Sequence, residues 1–398
     1  MPVYLHALET SVPDSSYSQE WACELMQRHC SERKGVRRII RSIYRNSGIE
    51  TRHSVIDDFD EDAQSPLFFA DPETLLPTPG THTRNEVYTR EAKRHFEALA
   101  RGLVEKTPGV QPSDVTHVIT VSCTGFFAPG PDYHVVRALG LSGSTQRYHL
   151  GFMGCYAAFQ GLRMAEAFCR NDPRAVVLVL CVELCTLHLR FTENTDDLIA
   201  GAVFADGGAG ALVSARAPDA SAHASAQASA QASDHASDHA SAHAPDHAPA
   251  RGRVLEFGSF HTDLTEEGEE DMAWTIGDDG FRMKLSTYVP QIIESNLEPV
   301  VGALLERAGV RADEIPWWGI HPGGRAILDR VEESMALRPE ALEASREVLR
   351  RYGNMSSATV LFVLKQILES GDLQRDDPVL AMAFGPGLTI ETGLFRVR

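Results

Sequence analysis

Three segments carry residue types that covalent chemistry needs, each beside a turn. In Gly151-Phe152-Met153-Gly154-Cys155-Tyr156-Ala157-Ala158-Phe159, a glycine pair tightens the backbone and Cys155 opens an Ala-rich helical stretch. A thiol there meets unpaired amides and the positive end of the helix dipole, which favour the thiolate and suit a nucleophile. The plainer reading of a buried cysteine is a small hydrophobe. In Trp317-Trp318-Gly319-Ile320-His321-Pro322-Gly323-Gly324-Arg325-Ala326, His321 follows an apolar strand and precedes a glycine turn into a helix. Strand ends of this kind are where α/β proteins often place function. In Tyr352-Gly353-Asn354-Met355-Ser356-Ser357-Ala358-Thr359, Asn354 stands at the mouth of a third helix, where an N-cap is its ordinary role. Together they offer a thiolate with two polar partners.

Elements able to position these segments are legible in the periodicity. Strand-like runs at 115–121, 175–182 and 210–213 alternate with helical patterns over 84–106 and 155–169. The theme repeats further on. A helix over 289–308 leads to a strand at 317–320, a helix to about 349, a helix over 356–368 and strands at 379–384 and 389–397. Each part also ends in a glycine turn entering an apolar strand, around Phe204-Ala205-Asp206-Gly207-Gly208 and Phe384-Gly385-Pro386-Gly387. Such alternation predicts a layered α/β fold of two related halves.

Composition narrows the function classes. The chain has 398 residues, 43% of them hydrophobic, and a net charge of −18. Its apolar content excludes a mainly disordered chain. The acidity speaks against a general nucleic-acid binder, which needs a basic footprint. Seven cysteines without a CxxC pair fit neither a secreted disulfide framework nor a metal centre. The start lacks an export signal, and no apolar run approaches the roughly 18–20 residues of a membrane span. A soluble, cytoplasmic protein with no membrane insertion is expected.

The segment 217–250 is foreign to the rest, being almost wholly Ala, Ser, His, Asp, Gln and Pro. Nothing in it offsets the entropy of ordering, so a flexible surface insertion is expected between an N-terminal unit, 1–216, and a C-terminal unit, 251–398. Its histidines, His223, His235, His239, His243 and His247, could collect a metal adventitiously, but a solvated linker is the plainer reading.

The residues around Cys155, His321 and Asn354 resemble those of type III polyketide synthases, the chalcone-synthase-like branch of the thiolase superfamily. The most specific pieces are Ile320-His321-Pro322-Gly323-Gly324, Tyr352-Gly353-Asn354-Met355-Ser356-Ser357-Ala358 and Phe384-Gly385-Pro386-Gly387-Leu388-Thr389-Ile390-Glu391-Thr392. The resemblance runs from Val3 to Arg396, broken only by the insertion. It implies a thiolase-like αβαβα fold and a homodimer. It implies CoA thioesters, an acyl-CoA starter and malonyl-CoA, as substrates, with no metal or redox cofactor. Cys155 would carry the acyl group, with His321 as imidazolium partner of the thiolate. His321 and Asn354 would hold the enolate formed when malonyl-CoA loses CO₂.

Further positions follow from the same resemblance. Phe204 matches a gatekeeper between CoA tunnel and acyl cavity. The second gatekeeper falls at Met283, where plant members usually have Phe, and implies a softer tunnel mouth. Cys123, Thr124, His188, Gly385 and Pro386 would line or shape the cavity. Arg38, Arg41 and Arg45, in an Arg-rich stretch of an acidic chain, would meet the CoA phosphates together with Gly324 and Ala326. The plainer reading of those arginines is a solvated helix face. Ala128 aligns with a residue that reaches into the partner's cavity.

Met283, Ala128 and the 184–188 segment look more like microbial alkylpyrone or alkylresorcinol synthases than plant chalcone synthases. A fatty acyl starter extended by malonyl units is therefore expected, with a malonyl-primed tetrahydroxynaphthalene-type or a chalcone-type synthase as the alternative. A ketoacyl-synthase III type enzyme would condense once on a carrier protein, and a hydroxymethylglutaryl-CoA synthase would need a glutamate base. A catalytically dead scaffold would not need all three polar residues.

Overall fold

The computed structural model describes residues 1–59, 66–71, 73–218 and 252–398. The expected insertion, and with it the five histidines of the metal reading, lies from residue 219 onward outside the described residues.

One nine-stranded sheet organises the chain. Its strands are β1 (Tyr4–Ser11), β2 (His117–Ser122), β3 (Gln146–Gly151), β4 (Val176–Leu184), β5 (Asp206–Ser214), β6 (Leu255–Leu264), β7 (Trp317–Ile320), β8 (Pro378–Gly385) and β9 (Thr389–Val397). Their order is β7-β8-β9-β6-β1-β5-β4-β2-β3. The two halves have the same wiring. β2 runs parallel to β4, which pairs antiparallel with β5, which pairs antiparallel with β1. Likewise β7 runs parallel to β8, β8 antiparallel to β9, and β9 antiparallel to β6. The halves meet where Tyr4 and Leu5 pair with Glu256 and Leu255.

Layering follows from side-chain alternation. In β4, Val177, Val179 and Cys181 face a core shared with the helices Ala157–Asn171 and Thr359–Leu368. Val176, Leu178, Leu180 and Val182 face the outer helix Thr81–Lys106. A strand buried on both faces reads as the unbroken apolar run seen in the sequence. On the C-terminal half, Leu380, Met382 and Phe384 face the outer helix Val289–Ala308, while Val379, Ala381 and Ala383 face the central pair. The result is the αβαβα arrangement.

Some expected elements differ. The glycines at 207, 208 and 210 sit inside β5 rather than in a turn. A Cβ on Gly208 would come within 2.9 Å of Leu99, and one on Gly207 within 2.4 Å of Met355 Sδ. Close packing, not chain reversal, requires these glycines. The expected helix to about 349 is two helices, Arg325–Ser334 and Glu343–Tyr352. The break falls at Ala336, whose φ is 49°, just before Pro339.

Candidate active site

Cys155 follows β3 through a strained turn. Phe152 has a φ of 58° and Gly154 a φ of 76°. The turn Gly154–Tyr156 then runs into the helix Ala157–Asn171. A Cβ on Gly154 would lie 2.5 Å from Pro386 Cδ, so the turn needs glycine for both its φ and its contact. His321 leaves the end of β7 with its N–H on the Met382 carbonyl at 2.8 Å. Asn354 follows Gly353, whose φ is 71°. Its N–H donates to Val203 O, and its carbonyl accepts from Ala205 N–H, both at 2.9 Å. Its side-chain Oδ1 accepts from Ser356 N–H at 2.8 Å, Nδ2 makes a long bond to Gly323 O at 3.3 Å, and the amide also donates to the Cys155 sulfur. The amide donor thus faces the thiol, where a bound ligand would exchange for the sulfur.

The three side chains line one narrow chamber, shared with Cys123, Phe204, Met283 and Pro386. All are desolvated, His321 being 1% and Asn354 2% exposed. Burial dominates the electrostatics of the chamber. Burial pushes the Cys155 thiol up to about 12, with hydrogen bonds from Ser356 and Asn354 opposing it. Burial also pushes His321 down to about 3, and neither of its ring nitrogens has a hydrogen-bond partner among the described residues. Desolvation thus disfavours the charged form of each group taken alone, so a thiolate–imidazolium pair would have to be held by the attraction between its two charges.

The remaining sequence-derived positions divide. Phe204 and Met283 face the chamber from opposite halves, and Cys123 and Pro386 complete its wall. Thr124 stands behind that wall, its hydroxyl donating to Glu183 at 3.1 Å and accepting from Leu184 N–H at 3.0 Å. Gly385 is not among the lining residues; a Cβ there would strike the Tyr156 ring at 2.3 Å. His188 borders a neighbouring chamber instead. Its Nδ1 accepts from Phe281 N–H, which places the proton on Nε2 for the Thr124 carbonyl. Arg38, Arg41 and Arg45 line a polar groove on the helix Lys34–Asn46 with Lys34 and Arg37. Gly324 and Ala326 are not part of that groove, although Arg325 between them packs beside Gly48, next to the groove residue Ile49.

Sequence reasoning missed the hairpin Met272–Gly277 and Gly280–Leu285, whose Met272, Trp274, Met283 and Leu285 roof the chamber. Alternation of Met272, Trp274 and Ile276, mirrored by Phe281, Met283 and Leu285 across Asp278-Asp279-Gly280, was the available signal. It also missed the neighbouring chamber, walled by Trp21, Leu25, Met26, Ile56, Phe59 and Phe69 among others. The two chambers share Phe204, Trp274 and Met283.

Comparison with known proteins places this geometry. Residues 2–217 match the N-terminal domain, and residues 258–398 the C-terminal domain, of the chalcone and stilbene synthases. The chain is 28% identical over 364 residues to the alpha-pyrone synthesis polyketide synthase-like Pks18 of Mycobacterium tuberculosis, covering 91% of this chain and 83% of that protein. It is 30% identical over 330 residues to type III polyketide synthase B of Arabidopsis thaliana, covering 80% and 77%. Among solved structures, PKS-I of the brown alga Ectocarpus siliculosus superposes with a TM-score of 0.82 at 26% identity, over 99% of this chain and 98% of that one. The 1,3,6,8-tetrahydroxynaphthalene synthase of Streptomyces coelicolor A3(2) gives 0.80 at 26% identity, over 99% of each. The chain belongs to the chalcone and stilbene synthase family and is a type III polyketide synthase.

Proposed function

We propose that Cys155, His321 and Asn354 perform both half-reactions of this synthase. In loading, the Cys155 thiol passes its proton to His321 as Sγ attacks the acyl-CoA carbonyl. The thioester exchanges and CoA leaves as the thiol, taking the proton back. In extension, the carboxylate of malonyl-CoA leaves as CO₂, and its bonding pair becomes the enolate of acetyl-CoA. The His321 N–H and the Asn354 amide, both buried, donate to the enolate oxygen. The enolate carbon then attacks the Cys155 thioester, and the chain passes to CoA two carbons longer. CoA thioesters supply the activation throughout, so the scheme calls for no metal or redox cofactor.

The observation that carries this reading is the convergence of all three side chains in one buried chamber beside Phe204. The arginine groove, with Arg38, Arg41 and Arg45, suits the phosphates of CoA. Intact-protein mass spectrometry tests the loading step: an acyl-CoA should add one acyl group to the protein, and Cys155→Ala should add none. Absence of an adduct on the parent protein would overturn the reading.

For the starter, a fatty acyl chain is favoured. The neighbouring chamber is mainly apolar, shares Phe204, Trp274 and Met283 with the reaction chamber and offers burial to a long alkyl group. The relative named for alpha-pyrone synthesis points the same way, toward alkylpyrone or alkylresorcinol products. A malonyl-primed synthase, suggested by the tetrahydroxynaphthalene relative, would leave that chamber without a role in starter binding.

A homodimer is supported by the open edge of β3 and by exposed Phe126 on the loop that carries Ala128. No helix among the described residues is long and apolar enough to cross a membrane. We assign the reaction to the cytoplasm, where both CoA thioesters are available.

A further inference from the structure

A residue on the wall of the neighbouring chamber fastens the segments that hold Phe204 and Asn354. Arg52 lies half-buried in the short strand Thr51–His53. Its Nη1 donates to two carbonyls, Gly201 O and Phe204 O, both at 2.7 Å. These carbonyls stand at the C-terminal end of the helix Thr195–Val203, where orphan acceptors and the negative end of the dipole favour a cation. The Tyr44 hydroxyl donates to the same Gly201 carbonyl at 3.1 Å, and the guanidinium carbon lies 5.7 Å from the Tyr44 ring centre. On its other side Arg52 packs against Gly353, the residue before Asn354. A Cβ on Gly353 would lie 3.0 Å from Arg52 Cγ and 3.1 Å from Val203 O. Arg52 thus touches both strands of the backbone bridge between Phe204 and Asn354.

We propose that Arg52 is a positioning residue for the decarboxylation step, holding the Asn354 amide and the Phe204 ring in register. This rests on the role assigned to Asn354 above. The loading step has other supports. Cys155 is set by the Gly154–Tyr156 turn, and His321 by its bond to Met382 at the end of β7. Loss of Arg52 leaves two carbonyls without their cation and frees the bridge to shift. Misplacing the Asn354 donor weakens enolate stabilisation, while thioester exchange on Cys155 continues.

Two partial reactions of the full-length enzyme separate these effects. Loading is followed by the mass of the acylated protein, and decarboxylation by acetyl-CoA released from malonyl-CoA without starter. Arg52→Met keeps the length of the side chain and removes its donors. It is expected to slow decarboxylation about 10-fold or more, with loading from acetyl-CoA, whose two-carbon acyl group makes no use of the alkyl chamber that Arg52 lines, within about threefold of the parent. Arg52→Lys, whose ammonium can reach the same carbonyls, should recover a large part of the decarboxylation rate. Unchanged decarboxylation in Arg52→Met would overturn the proposal. So would an equal loss of both half-reactions together with a lower Tm, because that marks a purely structural role. A parent enzyme that loads but does not decarboxylate would instead refute the role given to Asn354, independently of any Arg52 variant.

Discussion

Phe204 and Asn354 lie opposite one another in an isolated parallel bridge, tied by the Asn354 N–H on Val203 O and the Ala205 N–H on Asn354 O, each at 2.9 Å. Phe204 comes from one half of the fold and the Asn354 amide from the other, so one pair of backbone hydrogen bonds fixes their spacing. Asn354→Ala removes the proposed donor to the enolate and leaves Cys155 its backbone setting and its hydrogen bond from Ser356. Malonyl-CoA decarboxylation should fall about 10²–10³-fold, while the rate of Cys155 acylation stays within a few-fold. Equal losses in both assays would count against separate roles.

The resting protonation of Cys155 has a direct readout. With the thiol pushed up to about 12 by burial, the thiolate fraction should rise about tenfold per pH unit between pH 6 and 10. Iodoacetamide alkylation of Cys155, followed on its own peptide, should therefore climb log-linearly across that range. A plateau near neutral pH would instead indicate a stable thiolate–imidazolium pair.

Glycines at two positions should respond with opposite signs. Gly154→Ala forces a methyl to within 2.5 Å of Pro386 at a φ of 76°. It should cost about 1–3 kcal/mol of stability by overpacking, and at least about 10-fold in kcat through displacement of Cys155. Gly302 lies within the helix Val289–Ala308 with open space around its Cβ position. Gly302→Ala should stabilise by about 0.5–1 kcal/mol and leave kcat alone. Thermal unfolding and steady-state kinetics check both.

The arginine groove should act through charge. Combined Arg38→Ala, Arg41→Ala and Arg45→Ala should raise KM for malonyl-CoA about 10-fold or more at low salt, with kcat little altered. The difference should shrink as ionic strength rises and screening shortens the reach of the cations. A salt-independent KM would show that these arginines do not meet the phosphates.

Much of the fold was legible because most of the sheet strands are buried on both faces. β4, β7 and β8 appear as nearly continuous apolar runs, and their bounds were placed to within a residue or two. β1 and β6, which join the halves, were missed because polar residues such as His6, Glu9, Ser259 and Asp263 interrupt them. The convergence of Cys155, His321 and Asn354 was legible because each sits in a glycine-rich turn whose sequence is constrained by packing, as Gly154 against Pro386 shows. The desolvation of Cys155 was not, since it depends on what covers the thiol, and the covering hairpin around Met272, Trp274 and Met283 comes from distant sequence. Arg52 escaped for the same reason, its partners Gly201 and Phe204 lying about 150 residues away.

The most direct test of iterative condensation on Cys155 is mass spectrometry of products formed by the purified enzyme from malonyl-CoA and acyl-CoA starters of increasing chain length. Expected are pyrones or resorcinols whose masses track the starter, favour long alkyl chains and vanish in Cys155→Ala. The same products from Cys155→Ala, or no condensation product from any starter, would contradict it.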